Sequence, residues 1–91
     1  MPPHETNAEA AATLALGALG WLLADPERAR RFLDITGITP DSLRARANTP
    51  AFLAAVVGYL ENREPDLVAC AETLQAAPEE LTRARRVLEQ R

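Results

Sequence analysis

The chain has 91 residues, a formal net charge of −3 and one cysteine. That length makes one small domain with a modest core. The lone Cys70 excludes an intramolecular disulfide and a multi-cysteine metal site, and the acid excess argues against a nonspecific grip on nucleic acid, which runs on net positive surface.

Met1 to Glu5 reads as a tail, with His4 solvated in it. The stretch AEAAATLALGALGWLLA, Ala8 to Ala24, then reads as the central helix, because Ala and Leu are strong helix formers. Thr6 and Glu9 fit a capping box that starts it just after Thr6. Asp25-Pro26 ends it, since the residue before proline is pushed out of the α region. Large apolar groups fall nearly all round it, at Leu14, Leu16, Leu19, Trp21, Leu22 and Leu23, which predicts burial on most sides. One narrow stripe differs: Glu9, Thr13, Gly17, Gly20 and Ala24 share roughly a quarter of the circumference. Two interior glycines cost about 1 kcal/mol each against alanine, so the stripe marks either a close backbone approach or open solvent. Other readings of the stretch fail. It is Ala-rich and carries Glu9, unlike a membrane span. No Lys or Arg precedes it, unlike a secretory signal. No basic face flanks it, unlike a lipid-surface helix. The cytoplasm is the default compartment.

Beyond it, Asp25-Pro26, Thr39-Pro40, Thr49-Pro50, Glu64-Pro65 and Ala77-Pro78 each precede an amphipathic run. Proline at the first helical position loses no hydrogen bond; Asp and Thr before it are good N-caps, Glu64 and Ala77 poorer ones. Acids follow at once at Glu27, Asp41, Asp66 and Glu79-Glu80, where the helix dipole favours them. The expected helices are Pro26–Thr36, burying Ala29, Phe32, Leu33 and Ile35 and ended by Gly37 in the left-handed conformation; Pro40–Ala47, with Ile38 and Leu43 stapled around Thr39; Pro50–Asn62, with Phe52, Leu53, Val56, Val57 and Leu60 on one face; Pro65–Ala76, with Leu67, Cys70, Ala71 and Leu74; and Pro78–Gln90, with Leu81, Ala84, Val87 and Leu88. No run shows the alternation of a strand, and every joint is short. The expectation is an all-α bundle of about six short helices in one domain, residues 1–91. An echo between Asp25–Arg46 and Glu64–Arg85 suggests two pseudo-repeated three-helix halves.

Three segments, ALGALGWLLADPERARRFLDITGI, TPAFLAAVVGYLENREPDLVACAE and APEELTRARRVL, carry a family resemblance. With the motifs Asp-Pro-Glu, Arg-Phe-Leu, Thr-Gly-Ile and Phe-Leu-Ala, the chain resembles a family of short uncharacterised bacterial all-helical proteins, a domain of unknown function. The resemblance covers nearly the whole chain and implies a small cytoplasmic helical protein. It implies no activity, cofactor or catalytic residue.

The residues themselves assemble no Cys/His cluster, phosphate loop or Ser-His-Asp set, so no catalytic residue, metal or cofactor is assigned and the chain is read as a non-enzyme. Cys70 falls on an apolar face and reads as packing. The arginines read mainly as solvated partners at i,i+4, in Glu27–Arg31, Arg30–Asp34, Glu79–Arg83 and Arg85–Glu89, and at i,i+3 in Asp41–Arg44. The candidate interaction surface comprises Gly17, Gly20 and Trp21, the last read first as a core residue and alternatively as an anchor beside the small stripe, and Arg28, Arg31, Arg83 and Arg86 as a site for an anion or acidic partner. The leading function is a protein-interaction or accessory protein with an unidentified protein partner and no membrane or nucleic acid; a homo-oligomer is compatible with it. The alternative is a helix-turn-helix-like DNA-binding regulator using Ala29–Ala47, with Arg44 and Arg46 on its second helix. Asp41 at that helix's leading end would repel phosphate.

Overall fold

The computed structural model describes residues 3–90, with side chains from Ala8 onward. Six helices follow in order: α1 Pro3–Ala24, α2 Pro26–Thr36, α3 Pro40–Arg46, α4 Pro50–Glu61, α5 Glu64–Thr73 and α6 Pro78–Glu89. The described residues contain no strand. All five internal prolines that follow α1 sit in the first turn of a helix. Where the preceding side chain can accept, it caps. Asp25 Oδ2 takes the Arg28 N–H at 2.9 Å, Thr39 Oγ1 the Ser42 N–H at 3.1 Å, and Thr49 Oγ1 the Phe52 N–H at 3.3 Å. The poorer caps resolve differently. Helix α5 begins one residue before its proline, at Glu64, with no side-chain cap. At α6 the cap reaches back instead, with Glu80 Oε1 accepting from the Ala77 N–H at 2.8 Å.

The start of α1 differs from the sequence expectation. The helix begins at Pro3, upstream of Thr6, so Thr6 lies inside it. Of the expected tail, Met1 and Pro2 lie outside the described residues, and so do the side chains of His4 and Thr6.

The core is a three-helix stack of α1, α4 and α6, with α2 folded across one end and α5 along the side. Alanines build the core side of α1: Ala11, Ala15 and Ala18 are buried, joined by Leu19 and Leu22. Small side chains there let α4 and α6 approach the α1 backbone, and the bulk comes from the partners. Phe52, Leu53, Val56, Val57 and Leu60 of α4 and Leu81 and Leu88 of α6 are buried completely or nearly so. The chain turns sharply at Asp25, so that α2 leaves α1 at 110° and lowers Phe32 into the end of the stack. Its ring meets Tyr59 edge-on, centroids 5.1 Å apart. Burying such a side chain stabilises by about 1.5–3 kcal/mol.

Two burial expectations are corrected. Helix α1 is not buried on most sides: Leu16 and Leu23 are 40% and 38% exposed, and Leu14 and Trp21 are half-buried. Ile35 is 59% exposed, because the 110° turn presents only the Phe32 side of α2 to the core. The proposed halves are unequal in burial. Helix α3 buries no residue, whereas α6, its counterpart in the echo, lies against both α1 and α4.

The helix ends follow from local chemistry. Gly37, at φ 73°, closes α2, its N–H bonding Leu33 O at 2.9 Å. Helix α5 stops at Thr73, three residues short of expectation. There Gln75 takes φ 58°, its N–H bonds Glu72 O at 3.1 Å, and the Ala76 N–H bonds Ala71 O at 2.9 Å. This is a Schellman end with glutamine in the position that favours glycine.

Candidate interaction surface

No single cleft gathers the residues singled out in the sequence. They fall into three places.

The first is the outward side of α1. Residues 10–24 contain no charged side chain, yet six of them are exposed: Ala10, Thr13, Leu16, Gly20, Leu23 and Ala24. The two glycines separate here. A Cβ on Gly17 would lie 3.1 Å from Leu74 Cδ2, whereas one on Gly20 would meet nothing within 4 Å. Gly17 is therefore a close approach within the chain, and Gly20 is open. Beside them, Ala10, Thr13, Leu14, Gly17, Leu74 and Glu80 line a shallow, mostly apolar groove of about 560 Å³. Its one carboxylate, Glu80, is the one that caps α6.

The second place is the join of α1, α2 and α5. The Arg28 guanidinium carbon lies 3.7 Å from the centre of the Trp21 ring and Arg28 Nη2 donates to Trp21 O at 2.8 Å. Its Nε is buried without a partner. Arg31 reaches Asp66 at 4.0 Å, and Arg63 Nε donates to the same carboxylate oxygen at 3.3 Å. Trp21 is thus half-buried and covered by Arg28 on one ring face. Cys70 lies below this cluster, fully buried. Burial pushes its thiol up to about 11, the Arg28 charge pulling it down and Asp66 adding to the rise. A thiol so placed stays protonated at neutral pH and is a poor nucleophile.

The third place is α6. Arg83 and Arg86 border a depression with Leu67, Pro78, Glu79 and Thr82. Arg31, by contrast, borders one with Glu27, Arg30 and Asp34. Arg31 therefore borders a different depression from Arg83 and Arg86, and Arg28 lies on Trp21. Among the described residues Arg83 and Arg86 form no ion pair.

The local pairs expected for the arginines form in part. Arg44–Asp41 closes at 2.5 Å and Arg85–Glu89 at 2.9 Å, while Glu27–Arg31, Arg30–Asp34 and Glu79–Arg83 do not form ion pairs. Sequence reading missed the tertiary network at Glu61. One oxygen of Glu61 takes the Arg85 Nε–H and the other the Thr82 hydroxyl, the latter at 2.7 Å, tying α4 to α6. The positions lie 24 and 21 residues apart, so no helical spacing announces them.

The Ala29–Ala47 segment does form two helices around the Gly37 turn. Its second helix has 7 residues, Arg44 is turned back on Asp41, and the Arg46 guanidinium lies 5.4 Å from the Phe52 ring centre. Among the described residues no group of three or more His, Cys, Asp or Glu is arranged to hold a metal ion, and no single helix is long and apolar enough to cross a membrane.

No curated protein and no solved structure matches the chain. A family model does, over residues 8–91, spanning everything from the first residue of the apolar α1 stretch to the end of α6. On that match the chain belongs to the family described as a protein of unknown function, DUF3572.

Proposed function

We propose that this is a small interaction or accessory protein, without catalytic activity of its own, that binds another protein chain through the outward side of α1. One observation carries the reading. The longest helix leaves six of residues 10–24 exposed and supplies no charge there, although a quarter of the chain is charged, 25%. An apolar helix side with adjoining groove is the kind of surface that receives another helix. The absence of activity is supported by Cys70, buried and held protonated, and by Glu80 and Asp25, which serve as helix caps. A bacterial cytoplasmic setting is supported by the family resemblance and the single reduced cysteine. The DNA-binding alternative gains nothing from Arg44 and Arg46, whose guanidinium groups are held by Asp41 and over Phe52.

The test places a photo-crosslinking residue at Leu16 in the native cell, with the same residue at Ala45 of α3 as control. A discrete adduct at Leu16 that is missing at Ala45 is expected. Equal or absent adducts at both positions overturn the reading.

A further inference from the structure

We propose that the groove between α1 and α6 receives an acidic amphipathic helix of a partner protein, its apolar stripe in the groove and its carboxylates against Arg83 and Arg86. The proposal rests on the reading of α1 as a binding surface and gives the partner its chemistry.

Two depressions make the groove. One, of about 310 Å³, extends from Ala10 and Leu14 to Arg83 and Val87. The other, of about 560 Å³, extends from the same two residues to Gly17 and Leu74. Ala10, Leu14 and Glu80 belong to both, so the two are continuous. The lining follows one stripe of each helix: Ala10, Leu14 and Gly17 on α1, and Glu80, Arg83, Ala84 and Val87 on α6, all at the three- and four-residue spacing of a helix face. Small residues make the floor, since Ala11 and Ala84 are buried and Gly17 has no side chain. Leu14, Leu74 and Val87, each half-buried, stand along it. From Ala10 to Gly17 the groove is about 10 Å long, or roughly two turns of a helix. A helix is the element that fits such a channel, because its backbone is already hydrogen-bonded and only its side chains need partners.

Charge selects the partner. The charged residues on the groove are Glu80 and Arg83. Glu80 is committed to the Ala77 N–H at 2.8 Å. Arg83 is exposed and, like Arg86 one turn further on, forms no ion pair among the described residues. Arg83 and Arg86 also border a neighbouring depression of about 460 Å³, so Arg83 stands on the ridge between that depression and the groove. Glu79, in the same depression, sits in the first turn of α6, where the helix dipole offsets its charge. Glu9 lies on a separate depression with Ala12 and Asn48. The rim of the groove is therefore cationic where it passes Arg83 and Arg86, in a chain whose net charge is −3. A glutamate beside the partner's apolar stripe meets a guanidinium there. A lysine in its place meets like charge, so the site selects by repulsion as well as by attraction.

The test uses two side-chain-stapled helical peptides of about four turns, with the same leucine stripe and either glutamates or lysines flanking it. Each is titrated into the full chain to about 1 mM and followed by backbone amide shifts. Salt is held near 0.15 M, where the Debye length of about 8 Å screens the net charge and leaves close contacts. The glutamate peptide is expected to bind at least tenfold tighter than the lysine peptide, with shifts centred on the groove stripes of α1 and α6. The double variant Arg83→Gln with Arg86→Gln should bring the two peptides together, and Arg83→Glu with Arg86→Glu should reverse their order. Ala10→Gln fills the groove from an exposed position and should abolish binding of both peptides with an unchanged helical circular dichroism spectrum. Equal or reversed preference on wild type, no binding of either peptide by the end of the titration, or a preference that survives the double glutamine variant each overturns the proposal. Self-association that Ala10→Gln abolishes also overturns it, because a second copy then fills the groove. A Leu16 adduct in the cell together with any of these results keeps the interaction reading and loses the acidic partner.

Discussion

Arg28 covers one face of the Trp21 indole at 3.7 Å and bonds the carbonyl oxygen of the same residue at 2.8 Å. One side chain on α2 thereby clamps the C-terminal turn of α1 and holds the 110° corner between them. The clamp has a cost, because Arg28 Nε is buried without a partner. Stacking contributes about 0.5–2 kcal/mol and the charged hydrogen bond about 1.5–3, while an orphaned buried donor costs about 1–3. The net favours the clamp by a small margin. Arg28→Ala should lower stability by about 1–2 kcal/mol. Arg28→Lys should rescue little, since an ammonium cannot stack and bond at once. Arg28→Met should lose less than alanine, as it keeps the stem and removes the orphan. Urea unfolding followed by the fluorescence of the sole tryptophan measures all three.

The two glycines of α1 should respond in opposite directions. Gly20→Ala adds a methyl to open space and should raise stability by up to about 1 kcal/mol. Gly17→Leu must displace Leu74, already 3.1 Å from the would-be Cβ, and should cost about 1–3 kcal/mol. Thermal melts separate the two. A Gly17→Leu protein as stable as wild type would remove Leu74 as the reason for that glycine.

At the α5 end, Gln75 occupies the left-handed region at φ 58°. A side chain there costs roughly 1–2 kcal/mol relative to the right-handed helix, a cost glycine avoids. Gln75→Gly should therefore stabilise by about 0.5–1 kcal/mol. Gln75→Val, β-branched, should destabilise by more than that. Chemical denaturation with an unchanged slope is the measurement.

Cys70 gives a pH signature. Burial raises the folded thiol to about 11, so the unfolded chain ionises first as pH rises. Below the unfolded value both states are protonated and the thiol has no pH effect. Above it the unfolded state is favoured, and stability should fall between roughly pH 9 and pH 11 by about 2–3 kcal/mol. Cys70→Ala should flatten that part of the profile. At neutral pH a thiol reagent should label native protein far more slowly than unfolded protein.

The helical architecture was legible in the chain because its signals are local. Proline at the first turn, with an acid after it or Thr or Asp before it, acts within four residues, and these signals placed α2, α3, α4 and α6 at Pro26, Pro40, Pro50 and Pro78. The apolar face of α4 was legible for the same reason, since the spacing of Phe52, Leu53, Val56, Val57 and Leu60 has one helical solution. The end of α5 was not, because a left-handed glutamine carries no compositional mark.

What only the tertiary structure decided is which side of an apolar helix faces in. The sequence of α1 has leucine or alanine at nearly every angle, so periodicity alone cannot choose. The choice fell to the partners: α4 and α6 bring bulky residues, and the side of α1 that fits them is the alanine side, Ala11, Ala15 and Ala18. Leu16 and Leu23 were left outside as a consequence. The same holds for charge. Local spacing could pair Arg85 with Glu89, but the crossing of α4 over α6 brought Glu61 to Arg85, and the turn at Asp25 laid Arg28 on Trp21. Secondary structure here is written in short-range chemistry; the surface available for binding is set by what remains after three helices have closed on one another.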